Sequence, residues 1–166
     1  MKNSAPENLL VIYSAAERKY CDGLLGGFLA RYPSITVDFR DGISVALHER
    51  FLATLAAGKP EADILWSSAM DLQIQLALAG QALPYRSAEV DALPDGAIYR
   101  DLAYSTTLEP LATLVNRNHF DVRVPARSLA ELTAVLKSDR ERLHGKLACY
   151  DIERNGLGAY SGDRDR

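Results

Sequence analysis

The chain has 166 residues, enough for one domain or slightly more, and 48% of them are hydrophobic against 25% charged, which excludes a disordered chain. A net charge of −3 leaves no basic footprint for nucleic acid and no basic helix for a membrane surface. No stretch reaches 18 consecutive apolar residues, so direct membrane insertion is not expected.

Leu9 to Tyr13 is an apolar run suited to a buried strand. Ser14 to Glu17 follows as Ser-x-x-Glu, a capping box opening a helix with Tyr20, Leu24 and Phe28 in one row and Cys21, Leu25 and Leu29 in the next. Tyr32-Pro33 stops it. Ile35, Val37 and Phe39 then alternate with polar residues as a half-buried strand. A second helix is expected from about Ser44 to the Gly58-Lys59-Pro60 stop, with Leu47, Phe51, Leu52 and Leu55 inward and His48 packed among them.

Ile64-Leu65-Trp66 is too short an apolar run for a helix and reads as a third strand. Ser67 and Ser68 follow, and from Met70 the spacing is helical: Leu72, Leu76 and Ala79 share a face, and Gly80 takes the position after the helix end. A strand running into a Ser-opened helix leaves free N–H groups at the carboxyl end of a sheet, where open α/β sheets take ligands, anions above all. Ser68 and Asp71 also approximate a capping pair, which would make them structural only. Three strand–helix repeats imply a parallel sheet with right-handed crossovers, an α/β fold.

Residues 81–103 read as irregular surface chain, with turns at Leu83-Pro84-Tyr85 and Leu93-Pro94-Asp95-Gly96. Tyr104 to Thr107 is a polar cluster before a second buried-strand signal at Leu111–Val115. Ser128 to Glu131 is a further capping box, with Leu132 and Leu136 continuing the helix, His144-Gly145-Lys146 a turn and Leu147–Tyr150 a short strand. After Tyr160 the apolar pattern ends in a polar tail.

Cofactor and metal signals are absent from the pattern. Gly156-Leu157-Gly158 is a lone Gly-x-Gly without the dinucleotide fingerprint, and no Walker loop occurs. Cys21 and Cys149 lie far apart without C-x-x-C or a His pair, so each reads as a small packing residue. His48, His119 and His144 stand at turns or on helices rather than after strand ends, and no nucleophile elbow is present, so no catalytic residue is assigned.

Four segments in order (Leu-Val-Ile-Tyr-Ser-Ala from Leu10, Ala-Asp-Ile-Leu-Trp-Ser-Ser from Ala62, Thr-Leu-Glu-Pro-Leu-Ala-Thr-Leu-Val-Asn-Arg from Thr107, Gly-Lys-Leu-Ala-Cys-Tyr-Asp from Gly145) resemble the extracellular solute-binding proteins of ABC importers. The branch they resemble contains ferric-iron, sugar-phosphate and phosphonate binders. The resemblance implies a periplasmic-binding-protein-like type 2 fold. Residues 8–107 would form a first α/β lobe, 108–116 a hinge-crossing strand and 117–160 the start of a second lobe, left incomplete, with 161–166 a polar tail. On that reading the chain is the front half of such a protein. It would hold a small anionic organic solute between the lobes and pass it to an ABC permease, with no enzymatic step and no cofactor.

Carried over by position, Ser14, Ala15, Glu17, Ser67, Ser68, Thr106, Thr107 and Asp151 would bind the ligand, with Glu17 reserved to its capping box. Iron-binding relatives place a histidine near Glu17 and a glutamate near Ser68; hydroxyls there suit a phosphorylated solute better than ferric iron. The alternatives are an enzyme of the same fold, a ferric-iron-binding protein and the sensing domain of a regulator. The resemblance implies the periplasm. Met1 to Asn8 carries no signal-peptide pattern, which points to the cytoplasm if Met1 is the true start.

Overall fold

The computed structural model describes residues 8–108, 112–118 and 126–149. The chain divides into two compact units, one formed by 1–107 with 151–166 and the other by 108–150. Each is described by itself.

In the first unit, β1 (Leu9–Ser14), α1 (Arg18–Arg31), β2 (Thr36–Asp41), α2 (Ser44–Ala56), β3 (Ile64–Trp66) and α3 (Met70–Leu78) alternate strictly. The strands form one parallel sheet in the order β2-β1-β3, an α/β fold with helices flanking a parallel sheet. Ser14 pairs in register with Asp41 on one side and Trp66 on the other, so all three strands stop at one level. Each strand is followed within three residues by its helix, so three helix starts gather at that carboxyl edge.

Strand alternation splits the core between the two sheet faces. Ile12 packs with Cys21 and Leu25 of α1, with Leu10, Val37, Phe39 and Trp66 around them. Val11 and Tyr13 pack on the other face with Phe51 of α2 and Leu76 of α3, joined by Leu47, Leu55 and Leu65. Full burial of a large apolar side chain stabilises by about 1.5–3 kcal/mol, so these few contacts dominate the unit.

Only part of each expected apolar stripe is buried. On α1 the row Cys21–Leu25 faces the sheet, whereas Tyr20 and Leu24 are 74% and 63% exposed. A three-stranded sheet is narrow and gives one helix room for a single contact row. On α2, Leu47, Phe51 and Leu55 recur at i, i+4 and face inward, while Leu52, turned off that row, is exposed. Ala79 lies beyond α3 as its C-cap and is exposed.

Both α2 and α3 end in the glycine motif that satisfies orphan carbonyls. Gly80 takes φ +72°, and Gln81 N–H and Gly80 N–H donate to the Leu76 and Ala77 carbonyls at 3.0 and 3.2 Å. Gly58, at φ +70°, repeats the arrangement, with Lys59 and Gly58 donating to Thr54 and Leu55.

The N-terminal caps differ from expectation. The N-cap of α1 is Glu17, without a side-chain cap bond, so Ser14–Glu17 is no capping box. Ser14 is held inside the strand, and its Oγ accepts from Ala16 N–H and donates to the Ala16 carbonyl. Glu17 pairs instead with Lys19 at 2.7 Å. On α3 the N-cap is Ala69, again without a side-chain cap bond, so Ser68 and Asp71 are no capping pair. Asp71 still lies in the first turn, where the helix dipole favours a negative charge.

Beyond α3, residues 81–97 are largely exposed, with Leu83 at 87% and a 3-10 turn at Ala88–Ala92. A small antiparallel hairpin, β4 (Ile98–Tyr99) and β5 (Ala103–Tyr104), interrupts the stretch expected to be irregular. Its turn places Arg100 and Asp101 at φ +53° and +56°, closed by Leu102 N–H on the Tyr99 carbonyl at 2.9 Å. Arg86 bridges Asp91 and Asp101 and braces that turn.

The described part of the second unit holds α4 (Leu129–Ser138) and α5 (Arg140–Leu143). Ser128 caps α4 as expected, accepting from Glu131 N–H at 3.1 Å; the Glu131 carboxylate accepts from Arg127 N–H rather than from Ser128. Gly145 makes its turn at φ +68°. The strand expected at Leu111–Val115 does not form over residues 112–115, where Leu114 is 94% exposed; Leu111 lies outside the described residues. Residues 147–149 form no strand either, and Cys149 is exposed rather than packed; Tyr150 lies outside the described residues. A strand needs a pairing edge, and the described residues of this unit offer none to these segments.

One ionic cluster ties β2, α2 and the loop before β3 to the central strand. The Tyr13 hydroxyl donates to Glu61 Oε2 at 2.7 Å, and Arg40 and Arg50 each reach the same oxygen at 2.8 Å. Both guanidinium groups also lie over the Tyr13 ring, at 5.7 and 5.4 Å. Burial, then the bond to Glu61, raise the Tyr13 phenol. The bonds from Tyr13, Arg50 and Arg40 lower Glu61 to about 2. A carboxylate depressed in the folded state contributes stability above its unfolded value and loses it as pH falls through the folded one. Glu61→Gln should therefore melt below the wild type at pH 7, with the difference shrinking between about pH 4.5 and 2. Paired thermal melts across that range check this. At 41% side-chain exposure the effect should also weaken with added salt.

Candidate functional site

The carboxyl edge of the sheet collects most of the sequence-predicted site residues. Ala15 N–H donates to the Trp66 carbonyl at 2.9 Å, and Gly42 N–H to the Ser14 carbonyl at 3.0 Å. The loop after the central strand is thereby fixed to the ends of both neighbours. Ser14 itself is fully buried, with its hydroxyl turned back on Ala16. It shapes the loop.

Ser67 and Ser68 divide into two roles. Ser67 Oγ accepts from Ala69 N–H at 3.1 Å and sets the turn into α3. The Ser68 side chain makes no hydrogen bond among the described residues, and Met70 N–H donates to the Ser68 carbonyl. Ser68 is half-buried at the start of α3. The first-turn N–H groups of a helix have no intrahelical acceptors, which makes this end a donor surface.

Trp66 links the edge to the third predicted segment: its Nε1–H donates to Thr106 Oγ1 at 2.9 Å. Thr106 thus comes to the end of β3 from 40 residues away. Thr107 is exposed and engaged in an interaction of its own. Glu17 is exposed at the N-cap of α1, and its ion pair with Lys19 offsets its charge. Asp151 lies outside the described residues.

Sequence reasoning missed a recess on the α2–α3 side of this edge. Tyr13, Ser44, Leu47, His48, Leu65, Ser67, Leu72 and Gln73 line it, and its enclosed part has room for about one water molecule. His48 is half-buried, as expected, yet it stands beside Ser67 rather than in the core alone. The spacing of Ser44 and His48, four apart at the start of α2, was the available signal.

These features define an α/β lobe whose neutral donors gather where three parallel strands end. The chain is similar to the crystal structure of the substrate binding protein of the ABC transporter from Agrobacterium tumefaciens, with 32% identity and a TM-score of 0.83. The match covers 98% of this chain and 48% of that one, so the chain spans about half the length of that protein. No family model matches the chain, and no curated protein does. The solved neighbour is a transporter binding protein, not an enzyme, and its fold is the one shared here.

The two serines separate by experiment. Ser68→Ala removes no internal bond and should leave stability within about 0.5 kcal/mol of wild type. Ser67→Ala strands Ala69 N–H and should cost about 0.5–2 kcal/mol, the range for a lost cap-type acceptor. Urea unfolding of both variants, read by the fluorescence of the chain's single tryptophan, checks the order.

Proposed function

We propose that this chain supplies solute-binding elements of an ABC-type import system and takes a small anionic organic solute, such as a sugar phosphate. The observation that carries the reading is the open Ser68 hydroxyl at the start of α3, beside the Trp66–Thr106 pair, on a sheet edge where three helices begin. Hydroxyl and backbone donors with helix dipoles meet a phosphoryl group well. The 32% identity to a transporter's substrate binding protein supports the transport setting.

On this reading Ser67, Ser68, Thr106 and Thr107 contact the solute, Ala15 offers backbone, and Asp151 accepts from its hydroxyls. Ser14 and Glu17 hold the loop in shape. The lobe division at 8–107, 108–116 and 117–160, with the tail at 161–166, belongs to the same reading, as do the ABC permease partner and a periplasmic setting. Ferric iron fits less well, because it calls for anionic oxygens and the open groups here are neutral.

Titration with glucose 6-phosphate should change the fluorescence of Trp66, which sits on the proposed site, and ferric citrate should leave it unchanged. Ser68→Ala should weaken glucose 6-phosphate binding by about 0.5–1.5 kcal/mol, the net worth of one hydrogen bond. Tight iron binding with a tyrosinate charge-transfer colour, and no response to the sugar phosphate, would overturn the reading.

A further inference from the structure

Two polar side chains on the α2–α3 face have no protein hydrogen-bond partner among the described residues. His48 and Gln73 both line the one-water recess, and neither makes a side-chain hydrogen bond among the described residues. Ser67 borders the same space, and its Oγ accepts from Ala69 N–H, which leaves the hydroxyl proton to be donated. Both side chains are half-buried with polar atoms that water still reaches, so a bound polar group can take the place of that water.

The recess has a definite chemical character. None of the side chains lining it is a carboxylate, ammonium or guanidinium, and Leu47, Leu65 and Leu72 supply apolar wall. The nearby charges of Arg40 and Arg50 are both taken by Glu61, as is the Tyr13 hydroxyl. Serine and glutamine each donate and accept, and an imidazole brings two ring nitrogens for hydrogen bonds. That combination matches a group of the same dual capacity and of the size of a water molecule, namely an alcohol. A phosphoryl oxygen only accepts and would leave half of these groups unmet.

We infer that the recess is a second subsite for one hydroxyl of the solute, with His48, Gln73 and Ser67 as its contacting groups. The inference rests on the proposed function and deepens it. The anionic end meets Ser68 and the α3 start, and an alcohol of the same molecule displaces water from the recess. Recognition then selects polyhydroxylated anions over simple ones.

The test compares glucose 6-phosphate with inorganic phosphate on the full chain, by calorimetric titration. Wild type should prefer the sugar phosphate. Gln73→Leu and His48→Leu should each cut that preference about fivefold, the equivalent of one hydrogen bond near 1 kcal/mol. Gln75→Leu, an exposed position on the same helix outside the recess, should leave the ratio unchanged. Thermal melts confirm that each variant is folded, and a double variant keeps the test alive if either single substitution perturbs packing. A preference unaltered in folded His48 and Gln73 variants would overturn the subsite while leaving the anion site standing. Equal loss for both ligands would overturn it too, since the residues would then act through the fold. Failure of wild type to bind either ligand would overturn both readings.

Discussion

The backbone of β1 is hydrogen-bonded on both sides, to β2 through six residues and to β3 through three, and the carboxyl edge takes its shape from that double pairing. The difference in length creates a problem that the chain solves locally. β3 is too short to reach Val11, and a buried N–H without a partner is costly. Asp63, just ahead of β3, extends the ladder: its N–H donates to the Val11 carbonyl, and its carboxylate accepts from Val11 N–H at 2.8 Å. Such a charge-assisted bond is stronger than an amide pair. The register it protects sets Ser14 beside Trp66, and so fixes where Ser67 and Ser68 begin.

Structure and binding share residues along this edge but use different atoms. Ser14 spends its hydroxyl on the turn after β1, Ser67 Oγ accepts from the turn after β3, and the Trp66 indole spends its N–H on Thr106. Ser68 lies one step past the turn and is left open. The donor surface is therefore built by structural bonds that orient it. The same logic separates the two faces of the sheet. Cys21 and Leu25 close the α1 face with apolar contacts, whereas the α2–α3 face mixes leucines with Ser44, His48 and Gln73.

The hairpin at 98–104 shows how local preference yields to context. Arg100 and Asp101 sit in the left-handed region, which ordinary side chains enter at a cost of about 1–2 kcal/mol each. No Asn-Gly or Asp-Gly marks the turn, so its residues gave no hairpin signal. Arg86, fifteen residues earlier, holds Asp101 at 2.9 Å, and the Tyr104 hydroxyl donates to the Tyr85 carbonyl. Bonds from outside the hairpin stabilise a turn that the turn residues themselves do not favour.

Apolar period and punctuation determined the order of elements through α3: the runs at Leu9, Ile35 and Ile64, the helical spacing after Ser44 and Met70, and the glycines at 58 and 80 are local signals for local structure. They sufficed for a parallel sheet, since alternating strands and helices leave few topologies. Which hydroxyl would serve a ligand was not legible, because Ser14, Ser67 and Ser68 share one local pattern and differ only in what the folded chain sets beside them. Tertiary structure alone decided that Ser14 turns back on Ala16, that Trp66 draws in Thr106, and that His48 and Gln73 meet across two helices. Tertiary structure also decided how much of each apolar stripe is buried, because a three-stranded sheet covers one row of α1 and leaves Tyr20 and Leu24 in water. The 112–115 and 147–149 runs carry the strand composition, yet composition supplies only half of a strand; the other half is a neighbouring backbone to pair with.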